Sequence, residues 1–221
     1  MSVSVDNFLK AIYLLNDEQS EEVTGMMLAS RLQVSSAAVT DMARKLSVKG
    51  MVDYSPYKQL ALTSAGKAAA LKVIRKHRLW ELFLQKVLQL DLKTVHEEAE
   101  RLEHHASDNL INSIDAFLGH PSFDPHGDPI PDAEGALPQR DGLISLLQAT
   151  ENVSYRIARI VIREAEICDI FKDYGIEPGS SIKVAKFYSF DKSLELELEG
   201  GNVLFSENLS QRIFVYEEKN K

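Results

Sequence analysis

Residues 24–50, TGMMLASRLQVSSAAVTDMARKLSVKG, decide the fold of the amino-terminal part. Thr24 can cap a helix in which Met27, Leu28 and Leu32 face inward and Ala29 is small enough for close packing. Gln33-Val34-Ser35 forms the turn. Ser35 or Ser36 caps the next helix, which runs to about Val48, and Gly50 stops it. Its apolar stripe is Val39, Ala43 (with Met42 nearby) and Leu46, at i, i+4 and i+7.

The flanks complete the pattern. Upstream, residues 5–16 place Phe8, Leu9, Ile12, Tyr13 and Leu15 on one broad helical face. Downstream, alternating stretches at 51–54 and 60–63 are joined by Ser55-Pro56-Tyr57-Lys58-Gln59, which predicts a hairpin wing. The order helix, helix, helix, hairpin is that of a winged helix-turn-helix. In that arrangement Ser35, Ser36, Ala37 and Thr40 lead the helix that enters a major groove. Ala37 or Thr40 can meet a thymine methyl, and Arg44 and Lys45 can reach phosphate or a guanine edge. Lys58 at the wing tip can contact phosphate. Small helical hairpins without a DNA role look similar; the winged order favours the DNA reading.

From residue 64 to about 89 the pattern is helical through Leu71, Ile74, Leu79, Leu82 and Phe83, and a second helix is expected over 92–118. The Pro/Gly-rich stretch 119–131 cannot be regular structure, and 132–150 reads as linker-like. Short strands are expected at 155–162, 181–187, 193–198, 202–205 and 212–216, with a helix near 166–174. These form a small all-β barrel. The fold class is therefore mainly α with a small β domain. The expected boundaries are 1–72 for the winged helix, 73–140 for a helical domain, 141–152 for a linker and 153–221 for the β domain.

Two clusters then stand out, His77-x3-Glu81 and His96-x3-Glu100-x2-Glu103-His104. A histidine alone is more often a packed or surface residue than a ligand. Six potential ligands at helical spacing between residues 77 and 104 shift that balance, because helical spacing converges imidazole and carboxylate groups. With antiparallel packing the set can build two neighbouring sites. Nitrogen and oxygen ligands without thiolate favour manganese, iron or zinc over copper(I) or an iron–sulfur cluster.

Charge follows the same division. Residues 1–75 carry nine Lys/Arg against seven Asp/Glu, 76–149 six against thirteen, and 150–221 ten against thirteen. The acid is concentrated around the proposed ligands, where bound cations would reduce repulsion of phosphate. A solvated acidic helix would carry the same charge. The single cysteine, Cys168, allows no intramolecular disulfide and fits a reducing compartment. The start has no basic or apolar leader, and no apolar run spans a bilayer, so a cytoplasmic protein without membrane contact is expected.

The chain strongly resembles the diphtheria toxin repressor family of iron- and manganese-dependent transcriptional regulators. The resemblance is carried nearly end to end by Phe8-Leu9-Lys10-Ala11-Ile12-Tyr13, Val34-Ser35-x3-Val39-Thr40, Leu62-Thr63-x2-Gly66 and Lys76-His77-Arg78-Leu79-x-Glu81. It continues through His96-Glu97-Glu98-Ala99-Glu100-x2-Glu103-His104, Ser107-Asp108 and Pro125-His126-Gly127-Asp128-Pro129-Ile130-Pro131. It implies a helical metal and dimerisation domain and a carboxy-terminal SH3-like domain related to ferrous-iron transport. It also implies a homodimer that represses by binding a palindromic DNA operator, with Mn(II) or Fe(II) as cofactor, two per subunit, and control of metal-uptake genes.

By the same resemblance Glu100, Glu103 and His104 match the primary metal site, and His77, Glu81 and His96 the ancillary one. Glutamate at position 100, where iron-type members have cysteine, is typical of the manganese-type, three-domain branch. Asn7 stands where the family has a Met or Asp ligand, leaving Asp6 as the nearest carboxylate. For a barrel ligand to the ancillary site, Arg159 and Ile162 cannot serve, whereas Glu164 or Glu166 can. Two rival readings are a winged-helix sensor of a redox or small-molecule signal and a two-metal hydrolase. The first has only Cys168, without a partner thiol; the second has no nucleophile motif or phosphate loop.

Overall fold

A computed structural model of the chain describes residues 2–18, 23–55, 59–162 and 164–218. It divides into two compact units: residues 1–80 with 99–117 and 131–137, and residues 81–98 with 118–130 and 138–221.

The first unit opens with α1 (Val3–Glu18), α2 (Gly25–Leu32) and α3 (Ser36–Val48), followed by β1 (Val52–Asp53) and β2 (Ala61–Leu62). Thr24 Oγ1 accepts from Met27 N at 3.3 Å and Ser35 Oγ from Ala38 N at 3.2 Å, so both expected caps form. Ser35, rather than Ser36, is the cap of α3. Gln33, at φ 53°, makes the left-handed turn between the two helices. The core gathers Phe8, Leu9 and Ile12 from α1, Leu28 from α2 and Val39, Ala43 and Leu46 from α3. The wing is antiparallel, with Val52 opposite Leu62 and Asp53 opposite Ala61. Lys58 lies outside the described residues.

Helix α4 (Ser64–Leu88) follows as expected, but the single helix expected over 92–118 is two, α5 (Leu92–Leu102) and α6 (Asp108–Phe117). Local capping wins over continued periodicity here. Ser107 Oγ accepts from Leu110 N at 3.2 Å, and Asp108 places a negative charge in the first turn of α6. Lys76 Nζ donates to the carbonyl of Ala106 at 2.7 Å and pairs with Asp108 at 2.9 Å, holding the turn against α4. Glu103 and His104 therefore sit in the turn after α5 rather than inside a helix.

In the second unit, an antiparallel sheet has the order β3-β8-β4-β5-β6-β7. The strands are β3 (Ile144–Ser145), β4 (Ser154–Ile160), β5 (Ser181–Tyr188), β6 (Ser193–Leu198), β7 (Gly201–Phe205) and β8 (Ile213–Glu217). Helices α7 (Ala165–Asp173) and α8 (Glu207–Ser210) complete it. Register shifts at residues 157/159 and 184/186 mark bulges, which bend and twist strands. Ile157, Ile160, Phe171, Val184, Leu196, Phe205 and Val215 form the core. Residues 144–148, read from sequence as linker, add the edge strand β3 and a short 3-10 turn whose Leu146 is fully buried in this core. Cys168 is buried, and burial pushes its thiol pKa up, which makes it a poor redox group.

The proline-rich stretch is irregular but tightly held. Asp124 Oδ1 accepts from His126 N at 2.8 Å and Asp128 N at 2.9 Å, and Phe123 bridges Pro129. Gly127 adopts φ +84°, and a Cβ there would overlap the carbonyl of Ala158, so only glycine fits.

Candidate metal centres and nucleic-acid interface

In the first unit the ligand candidates converge on Glu103, whose side chain is wholly buried. Its Oε2 lies 2.7 Å from His77 Nδ1, and its Oε1 lies 3.2 Å from His104 Nε2. Glu100 Oε1 is 3.8 Å from His77 Nδ1. His77, Glu100 and Glu103 each offer an atom within 4.8 Å of the others, the spread expected of ligands around one ion. The first turn of α1 reaches the same place, with Asp6 Oδ2 3.6 Å from His104 Nδ1.

Whether these residues suit a cation is answered by their unsatisfied atoms. Asn7 Oδ1, Glu103 Oε1 and His104 Nδ1 are all buried without a hydrogen-bond partner. An unpaired buried polar atom costs about 1–3 kcal/mol, more when charged. A divalent cation satisfies carboxylate, amide oxygen and imidazole nitrogen together, so the set fits one. The donors are oxygen and nitrogen, as Mn(II) and Fe(II) prefer.

One group in this centre was not anticipated. Lys10, buried on α1, points its Nζ at Glu100 Oε1 and Glu103 Oε2, 2.7 Å from each, and at His77 Nδ1, 3.2 Å away. Lys10 is three and four residues after Asn7 and Asp6, on one helical face, a spacing that puts it beside them but does not reveal the distant carboxylates it meets.

The second unit holds Glu81, His96, Asp124 and His126. His96 Nδ1 is 3.0 Å from Glu81 Oε1, and His126 Nδ1 is 3.8 Å from Glu81 Oε2. Glu81, Asp124 and His126 are all buried and their ligand atoms lie within 4.8 Å of one another. Burial works against a charged His126, but the hydrogen bond and charge of Glu81, then Asp124 and Asp128, raise its pKa to about 9. In the sequence Pro125-His126-Gly127 is only a signature; Asp124 and His126 become ligand candidates because the loop lies beside Glu81. In the barrel, Arg159, which cannot ligate, pairs with Asp128 at 2.6 Å, and the candidate Glu164 is held by Arg212 at 2.7 Å.

On α3, Ser35, Ser36, Ala37, Arg44 and Lys45 are exposed and Thr40 is half-buried, so the residues expected to read DNA share the outward side of the winged helix. Lys45 forms an exposed pair with Asp41 at 2.6 Å, which is worth little and leaves its charge available.

Comparison with known proteins follows the same order along the chain. Residues 1–60 match the iron dependent repressor N-terminal DNA binding domain, and 63–132 the iron dependent repressor metal binding and dimerisation domain. Residues 144–217 match the FeoA domain. The diphtheria toxin repressor of Corynebacterium glutamicum is 31% identical over 190 residues, covering 82% of this chain and 83% of that protein. The chain belongs to the diphtheria toxin repressor family.

The iron-dependent repressor IdeR of Mycobacterium leprae is 30% identical over 194 residues, covering 82% of this chain and 83% of that protein. A solved manganese-dependent transcriptional repressor in complex with manganese is 34% identical, with a TM-score of 0.89 over 97% of this chain and 100% of that one. As a family member the chain is a metal-dependent transcriptional repressor with a DNA-binding part, a metal-binding and dimerisation part and an SH3-like FeoA domain. Among the described residues no helix is long and apolar enough to cross a membrane.

Proposed function

We propose that this repressor works in the cytoplasm as a homodimer, activated by Mn(II) with Fe(II) second, and binds a palindromic operator that controls metal uptake. The observation that carries this is the sulfur-free donor set around Glu103, in which three buried atoms make no hydrogen bond. Two ions per subunit are proposed. Glu100, Glu103, His104 and Asn7 hold one. The other draws on Glu81 and His96 of the ancillary set, to which Asp124 and His126 are added because they line the same buried carboxylate of Glu81. We assign no catalytic activity.

Bound here, a divalent ion supplies positive charge and bonds that join α1 to the turn after α5. The chain's own residues do the rest. Phe8, Leu9 and Ile12 of α1 pack in the same core as Val39, Ala43 and Leu46 of α3. Fixing Asn7 against His104 therefore fixes the helix that carries Thr40 and Arg44. A two-fold dimer with both recognition helices so fixed matches half-sites one helical turn apart. A hundredfold preference of the ion for the DNA-competent arrangement amounts to about 2.7 kcal/mol of bias per site.

The test is to measure the metal content of protein purified anaerobically and to select bound fragments from genomic DNA with each metal. Recovery of palindromic sites only with Mn(II) or Fe(II) supports the reading. Recovery without added metal in the presence of chelator would contradict it.

A further inference from the structure

We propose that the Lys10 ammonium is a tethered cation that permanently occupies the position between His77, Glu100 and Glu103 and shuts it to divalent ions. The proposal rests on the reading that this centre binds metal. Its basis is geometric. An ammonium has three N–H donors and no acceptor. Two of them have charged acceptors, Glu100 Oε1 and Glu103 Oε2, at 2.7 Å, and Nζ stands 3.2 Å from His77 Nδ1, which itself lies 2.7 Å from Glu103 Oε2. Those partners are the three residues whose atoms cluster tightly enough to ligate a metal.

Lys10 is buried at 7% exposure, so its charge is compensated by these groups rather than by water. It takes only one oxygen of Glu103. The other, Oε1, is left without a hydrogen bond, as are Asn7 Oδ1 and His104 Nδ1. The two oxygens of Glu103 thus serve different cations, one supplied by the chain and one from solution. A divalent ion between His77, Glu100 and Glu103 would stand where the ammonium is, at a separation where two positive charges repel strongly. Lys10 thereby limits the number of ions this centre takes.

The experiment uses the full-length protein freed of metal with chelator and titrated with Mn(II). Uptake is followed by calorimetry and by the electron paramagnetic resonance signal of unbound Mn(II). Lys10→Met removes the charge and keeps the length; Lys10→Arg keeps a buried cation. The expected result is that Lys10→Met binds one more equivalent of Mn(II) per chain than the parent protein, while Lys10→Arg binds the same number. Equal stoichiometry in all three would overturn the proposal. Failure of the parent protein to bind Mn(II) at all would instead overturn the underlying metal reading.

A second measurement does not depend on how the variants fold. Acetic anhydride labelling of the parent protein, read by mass spectrometry, should leave Lys10 unmodified both in chelator and in saturating Mn(II), while exposed Lys67 and Lys72 label equally in both. A rise in Lys10 labelling on adding Mn(II) would show that the ion displaces it, which contradicts permanent occupancy.

Discussion

Replacing Glu103 with Gln keeps the size of the side chain and removes its charge, so it isolates what the buried carboxylate does before metal binds. Lys10 would keep Glu100 at 2.7 Å, but that side chain is 40% exposed, whereas Glu103 is at 0%. Removing one partner from a buried ion pair costs about 3–5 kcal/mol. Because Glu100 remains, the lower end applies, about 3 kcal/mol. At about 2–4 °C per kcal/mol for a chain of this size, the melting point of the metal-free protein falls by roughly 6–12 °C. The assay is a urea and thermal titration in chelator followed by fluorescence of Trp80, the sole tryptophan, which lies in the same unit. Mn(II) should no longer raise the stability of this variant to the level of the parent. Combining it with Lys10→Met should cost less than the sum of the two changes, with a coupling above about 1 kcal/mol. A loss below about 0.5 kcal/mol for Glu103→Gln would refute the buried pairing.

Three further outcomes are expected. Asn7→Asp adds a charge at a buried oxygen with no partner and should tighten Mn(II) binding, while Asp6→Ala has the smaller effect; a larger effect of Asp6→Ala in the same titration would make Asp6 the ligand. His96→Ala, at a side chain 54% exposed, should lower metal stoichiometry and weaken operator activation without eliminating it, and unchanged stoichiometry by calorimetry would remove His96 from the ligand set. Thr40→Ala should weaken the specific operator more than random DNA, whereas Arg44→Ala should weaken both and reduce the slope of binding against log salt by about 1; equal loss on both sequences for Thr40→Ala would make it a packing or phosphate residue.

What was legible in the sequence was periodic. The stripe Val39, Ala43 and Leu46, the caps Thr24 and Ser35 and the wing all follow from local pattern, and all are present. Helical spacing also picked out Glu100, Glu103 and His104, yet it placed them within one helix running on to residue 118. No Gly or Pro interrupts 92–118, so only the capping pair Ser107-Asp108 marked the break. Similarly, Ser145 and Gln148 form a capping box that the linker reading passed over, and it brings Leu146 into the β core. Within the family motif Lys10 shows no role of its own, because a lysine beside an apolar face ordinarily extends its charge to water. Here the carboxylates it meets are some 90 residues away in sequence, which no local pattern records. Asp124 and His126 lie in an irregular loop, where periodicity carries no information; their meaning comes from the buried Glu81 they meet.

The switching-on of operator binding by metal at the Glu103 centre is the proposal on which the other functional expectations rest. Its most direct test is the affinity of the purified protein for its operator by fluorescence anisotropy at one fixed ionic strength, with saturating Mn(II) and again with chelator. A bias of about 2.7 kcal/mol per activating site, one in each subunit of the dimer, predicts operator affinity tighter with Mn(II) by up to about ten-thousandfold, with random DNA little changed. Equal operator affinity with and without chelator would contradict it.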